Sequence, residues 1–332
     1  MSSVLRFLFA ILLFMGSVTI HAKSPVLKFN TEGKFKILQI TDVHYIHKNE
    51  SSIEALERIS DMIDVEKPDL ILLTGDIIWG KPAKEGMEEV MKTITSKNIP
   101  FGLMYCNHDD EFELSRQELY ELTKPIKNNL TSTVEGLTGV TNYTIEIKGS
   151  KDKNTAAVLY CMDSNAYSKL PGIGGYDYIY PDQVEWYRNT SKHYTTKNNN
   201  KPLPALAFFH IPTPEYETAG LLKKDQMKGK FKEGVCSPKL NSGLFLAMRE
   251  QGDVKGIFVG HDHDNDFTVD WYGILLAYGR YSGGDTVYNN LGDNGVRLIE
   301  MSEGSNEFKT WIRTSKGIEQ NHTYPTDYIK KE

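Results

Sequence analysis

Five short polar clusters, each sitting where a strand-length apolar run ends, restrict what this chain can fold into. They are Asp42-Val43-His44, Gly75-Asp76, Asn107-His108-Asp109, His210 and Gly260-His261-Asp262-His263. They follow the runs FKILQIT, LILLT, IPFGLMYC, LPALAFF and GIFV, and they hold five of the nine histidines. A mostly parallel α/β sheet gathers its ligands outside the carboxyl ends of its strands, so these side chains are expected to converge. Imidazole, carboxylate and carboxamide together suit transition metals such as Zn, Mn or Fe, and there are enough of them for two ions.

Between the runs the periodicity alternates. IEALERISDMI puts Ile53, Leu56, Ile59 and Ile63 on one helical stripe, and residues 83–97 repeat the pattern through Met87, Val90, Met91 and Ile94. Strands alternating with helices of this length predict βαβ crossovers and a parallel sheet. NYTIEI and TAAVLYCMD, separated by KGSKDKN, predict a hairpin. A Gly- and Tyr-rich loop follows, then a helix opened by Pro181, the strand PLPALAFF, a helix closed by Gly252 and the strand KGIFV. The last third reads as the short strands FTVDWY, GILLAY, GVRLIEM and EFKTWIRT. No repeat and no linker divides the chain, and the clusters span residues 42 to 263, so the expectation is an α/β (α+β) fold of two packed sheets in one domain over 23–332.

Residues 1–22 carry Arg6, then the apolar run Phe7–Ile20, then Ala22 ahead of Lys23. This order predicts a cleaved signal peptide and export to a periplasmic or extracellular space; the run is shorter than the roughly 20 residues a membrane span needs. The net charge of −6 and the lack of any Lys/Arg cluster predict no nucleic-acid surface. Three cysteines cannot make a disulfide framework; Cys106 and Cys161 end apolar runs and are expected to be buried, while Cys236 is expected in a loop. The chain has no GxxxxGK[ST] and no GxSxG. Asp262, Asp264 and Asp266 do not make a calcium loop, because Phe267 and Gly273 stand where Gly and Glu are needed. His47, His193 and His322 fit no motif and are expected in solvent.

An Asp after a strand caps turns as readily as it binds metal, and a lone His is usually a satisfied polar residue. The ordered set of five is far more specific, and it resembles the calcineurin-like metallophosphoesterase superfamily across about residues 35 to 313. QVEWY, FFHIPTPEY, NSGLF and GHDHDNDF followed by YGRYSG are similar to a purple-acid-phosphatase-like branch. The resemblance implies a four-layer sandwich, two mixed β-sheets packed face to face with helices outside. It implies that Asp42, His44 and His263 bind one metal, that Asn107, His210 and His261 bind a second, and that Asp76 bridges them. His108 is implied to act on the substrate, with Asp109 holding its tautomer. The implied reaction is attack on a small phosphomonoester by a metal-bridging hydroxide; a phosphodiesterase acting on nucleotides or lipid headgroups and a non-catalytic metal-binding protein are the alternatives. Trp79 stands where purple acid phosphatases place a tyrosine ligand, three residues after the bridging Asp, which implies a colourless protein. Arg280 is a candidate phosphate contact, and Tyr178, Tyr180 and Tyr216 are candidate pocket-wall residues.

Overall fold

The computed structural model describes residues 25–329, so the signal peptide expected over 1–22 lies outside the described residues. In chain order the strands are β1 (Leu27–Lys28), β2 (Lys34–Ile40), β3 (Leu70–Thr74), β4 (Phe101–Met104), β5 (Tyr143–Lys148), β6 (Thr155–Cys161), β7 (Ala205–Phe208), β8 (Val254–Val259), β9 (Thr268–Trp271), β10 (Ile274–Tyr278), β11 (Gly295–Ser302), β12 (Phe308–Thr314) and β13 (Gly317–Tyr324). The α-helices are α1 (Glu50–Glu66), α2 (Ala83–Ser96), α3 (Arg116–Thr123), α4 (Pro181–Lys197), α5 (Glu215–Leu222) and α6 (Leu244–Gln251). No helix among the described residues is long and apolar enough to cross a membrane.

The strands form two mixed sheets, ordered β1-β5-β6-β7-β8-β10-β9 and β13-β12-β11-β2-β3-β4. The parallel run β6-β7-β8-β10 forms the centre of the first sheet and β2-β3-β4 forms one side of the second, with antiparallel pairings joining the remaining strands except for β1, which pairs parallel with β5. The runs of unbroken apolar residues explain why. Successive side chains on a strand point to opposite faces, and a strand covered on both faces needs apolar residues at every position. In β2 and β3, Ile37, Leu70 and Leu72 meet the other sheet beside Leu206, Phe208 and Phe258. Their neighbours Leu38, Ile40, Ile71 and Leu73 meet α1 and α2 through Ile59, Ile63, Met87 and Val90. On the far side Ala205, Ala207, Ile257 and Val259 pack against α4, α5 and α6. The result is the expected order of helices, sheet, sheet, helices.

Helices α3 and α5 are not among the expected elements, and two further elements depart from the expected pattern. Ile53 is 42% exposed, because the buried stripe of α1 runs through Ala55, Leu56, Ile59, Met62 and Ile63 and leaves Ile53 off its edge. The expected strands stop at β12, yet β13 adds a further antiparallel edge; its GIEQNHTY is half exposed and lacks the apolar content that marks the others.

The sheets are also joined by a buried cation. Arg297 of β11 donates from Nε to the Tyr278 carbonyl at the end of β10, from Nη2 to the Asp266 carbonyl at 2.8 Å and from Nη1 to Thr310 Oγ1 at 3.1 Å. Burial pushes its pKa down to about 10. Arg297→Met keeps the bulk but leaves two buried carbonyls unpaired, each worth about 1–3 kcal/mol. The variant is expected to lose about 2 kcal/mol or more of stability, read as a lower urea midpoint at unchanged slope. A shift below about 0.5 kcal/mol, within the range of ordinary surface substitutions, would remove Arg297 as a tie between the sheets.

Candidate metal centre

All five clusters leave the carboxyl ends of parallel strands. Asp42 and His44 follow β2, Asp76 follows β3 and Asn107 follows β4, all in one sheet; His210 follows β7, and His261 and His263 follow β8, in the other. The site therefore straddles the seam between the sheets. Asp42, His44 and His263 form one group of potential ligand atoms within 4.8 Å of one another, and Asp76, Cys106 and His210 form a second. The groups touch: Asp76 Oδ2 lies 2.9 Å from His210 Nε2 and 3.8 Å from His44 Nε2, while Asp42 Oδ1 lies 3.7 Å from both His210 and His263 Nε2. His261 Nδ1 stands 3.3 Å from His210 Nε2. Asn107 is fully buried on the strand exit that also carries Cys106, a member of the second group.

The backbone is bent to aim these groups. Asp42, His44, Asp76 and His261 all have left-handed φ, between 45° and 79°. Such conformations are costly for residues with a Cβ and collect at functional sites. Two glycines make room for the crowding. A Cβ on Gly75, itself at φ 86°, would fall 2.6 Å from the His210 ring, and one on Gly260 would fall 1.9 Å from Thr41 Oγ1.

Hydrogen bonds outside the cluster decide which atoms face inward. His210 Nδ1 lies 2.7 Å from the Thr74 carbonyl and His263 Nδ1 lies 2.9 Å from the Tyr288 carbonyl. Each carbonyl accepts the Nδ1–H of its ring, so Nε2 is the nitrogen turned inward. His263 Nε2 then sits 3.0 Å from His44 Nε2, and His210 Nε2 faces the Asp76 carboxylate. Asp76 Oδ2, both amide atoms of Asn107, His44 Nδ1 and His261 Nε2 are buried without a hydrogen-bond partner; the His210–Asp76 approach is close but lacks hydrogen-bonding geometry. Buried polar atoms in native proteins are otherwise almost always paired. Burial pushes His44 and His261 well below the usual imidazole range, so both are neutral. Burial opposes charge on His210 as well, but Asp76 and Asp42 outweigh it and raise its pKa to about 9. The same pairing holds Asp76 well below the usual carboxylate range against its own burial. Neutral imidazoles, a free carboxylate oxygen and a demand for positive charge are what cations require of a site, and the donor set fits.

Other expectations need correction. Asp109 does not hold His108. Its carboxylate accepts from the backbone N–H of Asp76, Ile77, Ile78 and Cys106 at 2.7–3.2 Å, fixing the Asp76 loop to the β4 exit. Burial, then the Asp76 charge, push its pKa up to about 7. The partner of His108 is Glu111, whose Oε2 lies 2.7 Å from Nδ1; Glu111 sits in an exposed turn and carries no motif to announce it. His108 Nε2 lies 4.0 Å from Asp76 Oδ2, and its backbone N–H donates to Asp76 Oδ1 at 3.1 Å.

Arg280 is not free to meet a phosphate: it is buried, with its three nitrogens on Asp266, Glu319 and the Asp293 carbonyl. Tyr216 is no pocket wall, being buried with its hydroxyl on the Ile257 carbonyl at 2.8 Å. Tyr178 and Tyr180 stack on each other at 4.6 Å. The rings that do border the histidines are Trp79, Tyr176, Tyr281 and Tyr288. His322 is buried rather than solvated, 3.1 Å from Thr268 Oγ1, and burial pushes its pKa down to about 3. Cys106 and Cys161 are buried, and Cys236 is exposed.

Residues 35–265, which include every cluster, match the calcineurin-like phosphoesterase family. The chain is 32% identical, over 93% of its length and 89% of the relative's, to an Arabidopsis thaliana protein named probable inactive purple acid phosphatase 29. It is 30% identical to the phosphatase DCR2 of Saccharomyces cerevisiae, over 90% of its own length and 57% of that protein's. Among solved structures, a dimetal phosphatase from Danio rerio superposes with a TM-score of 0.60 at 13% identity, covering 87% of this chain and 98% of that one, a likeness of fold. On the extent of these matches and the shared sandwich, the chain belongs to the calcineurin-like phosphoesterase family.

Proposed function

We propose that this chain is an exported hydrolase that holds two transition-metal ions and cleaves small phosphomonoesters. One observation carries the reading: Asp76 Oδ2 lies buried without a hydrogen-bond partner against inward-turned ring nitrogens of His44 and His210, and both amide atoms of the neighbouring, buried Asn107 are unpartnered as well. Asp42, His44 and His263 would hold one ion, Asn107, His210 and His261 the other, and Asp76 would lie between them. When bound, such a pair draws charge from phosphoryl oxygens and makes water a competent nucleophile at neutral pH. The chain's own residues do the rest. His108 stays outside the two groups, partly exposed, with Nε2 turned toward Asp76; from there it reaches a bound phosphate and protonates the leaving oxygen. Glu111 accepts from His108 Nδ1 and keeps Nε2 aimed inward. Asp109 keeps the Asp76 and Asn107 loops in register. The word inactive in a relative's name belongs to that relative; in this chain every ligand type of the seven positions is present. Export rests on the composition of residues 1–22.

Protein purified without chelator is expected to hold close to two metal ions per chain and to hydrolyse aryl phosphates in preference to the matching diaryl phosphates. Metal analysis beside an activity screen checks both, and two ions without turnover on any ester would leave a metal-binding protein. His108→Ala is expected to keep the metal content and lower kcat by about 10²–10⁴; unchanged turnover would remove its role. Glu111→Ala is expected to lower kcat by about tenfold, with metal content again unchanged. An effect on metal content alone would mean that Glu111 supports the fold of the loop and not His108.

A further inference from the structure

The histidine cluster opens between aromatic rings contributed by three separate loops. Trp79, after β3, stands edge-on to His44 with ring centres 6.0 Å apart and 6.3 Å from His108. Tyr288, between β10 and β11, stacks on His263 at 4.4 Å. Tyr176, in the loop joining β6 to α4, meets His261 edge-on at 4.2 Å, and Tyr167 of the same loop stacks on Tyr176 at 5.8 Å. An antiparallel bridge between Tyr167 and Tyr176 fixes that pair. The outer rings are held upright by acids: Tyr167 donates to Glu111 Oε1 at 2.6 Å and Tyr288 to Glu233 Oε2 at 3.0 Å. Tyr288 is nonetheless 52% and Tyr167 43% exposed. Single exposed rings are ordinary, but apolar surface gathered around one opening marks a place where something binds. A group attached to a phosphate seated on the histidines would have these faces among its neighbours.

We propose that this aromatic frame selects phosphoesters whose leaving group carries a flat aromatic ring. The inference rests on the phosphate seat proposed above and names its substrate class. Stacking a planar ring on tyrosine or tryptophan adds enough to favour such a ligand by about tenfold or more. The preference belongs to binding, so it is read without turnover. In protein supplied with excess Zn(II), calorimetry would compare methylphosphonate with phenylphosphonate and with the phosphonate analogue of adenosine 5′-monophosphate. At least one aromatic probe is expected to bind about tenfold more tightly than methylphosphonate, and which one it is separates aryl esters from nucleotides. The double variant Tyr167→Leu/Tyr288→Leu, altered at exposed positions, is expected to cut that preference to about threefold or less while methylphosphonate affinity stays within about twofold. Equal affinity for all three probes, or a preference surviving in the variant, overturns the frame and leaves the phosphate seat intact. Failure of every probe to bind overturns both. Preferential binding without hydrolysis of any ester removes the hydrolase reading alone.

Discussion

Everything at the seam follows from one mismatch, buried electron pairs confronting buried electron pairs. Two carboxylates and the unprotonated nitrogens of several imidazoles are pressed together away from water, with carbonyls from Thr74 and Tyr288 taking the N–H groups that might have relieved them. In a low-dielectric setting that arrangement repels itself. It persists because strands from both sheets deliver the groups there and the packed layers behind them do not yield. A positive charge placed between them turns the repulsion into attraction, and the elevated pKa of His210 shows the same demand being met by a proton.

Holding such a cluster falls to groups that never face it. Asp109 spends its whole carboxylate on four backbone N–H groups, and Asp42 is itself anchored by Thr41 Oγ1 at 2.8 Å and the His261 N–H at 3.0 Å. The left-handed residues are tolerable only because these contacts over-determine the loops. Cys106 fills the space between Ser164 and the Asn165 carbonyl at 3.1 Å, so the β4 exit is braced against the β6 exit of the other sheet.

Much of this was legible in the amino-acid order. Doubly buried strands announce themselves by unbroken apolar runs, and a polar residue ending each run marks the edge where side chains gather, which is why the meeting of Asp42, His44, Asp76, His210, His261 and His263 was legible. What escaped did so for physical reasons. The helices α3 and α5 are short and, unlike α6 of the same length, neither stops at a glycine that marks its end. Glu111 and the tyrosine rings act through position in irregular loops, where spacing in sequence says little about distance. Arg280 looked like an anion ligand because its charge was visible and its partners, Asp266 and Glu319, were not. His322 looked solvated because nothing around it in sequence reveals that β13 turns it inward.

The pairing of β2 with β11 also sets an order of events during synthesis. β2 is the first strand to end in site residues, yet its outer neighbour is β11, and the Thr41 segment is bridged by Tyr281, with Ser282 and Gly283 donating to the Thr41 and Asp42 carbonyls. A growing polypeptide that has emerged only through the β8 exit already contains every histidine of the cluster but lacks the strand that seats the first of them. The complete seam therefore belongs to the finished molecule rather than to the nascent one.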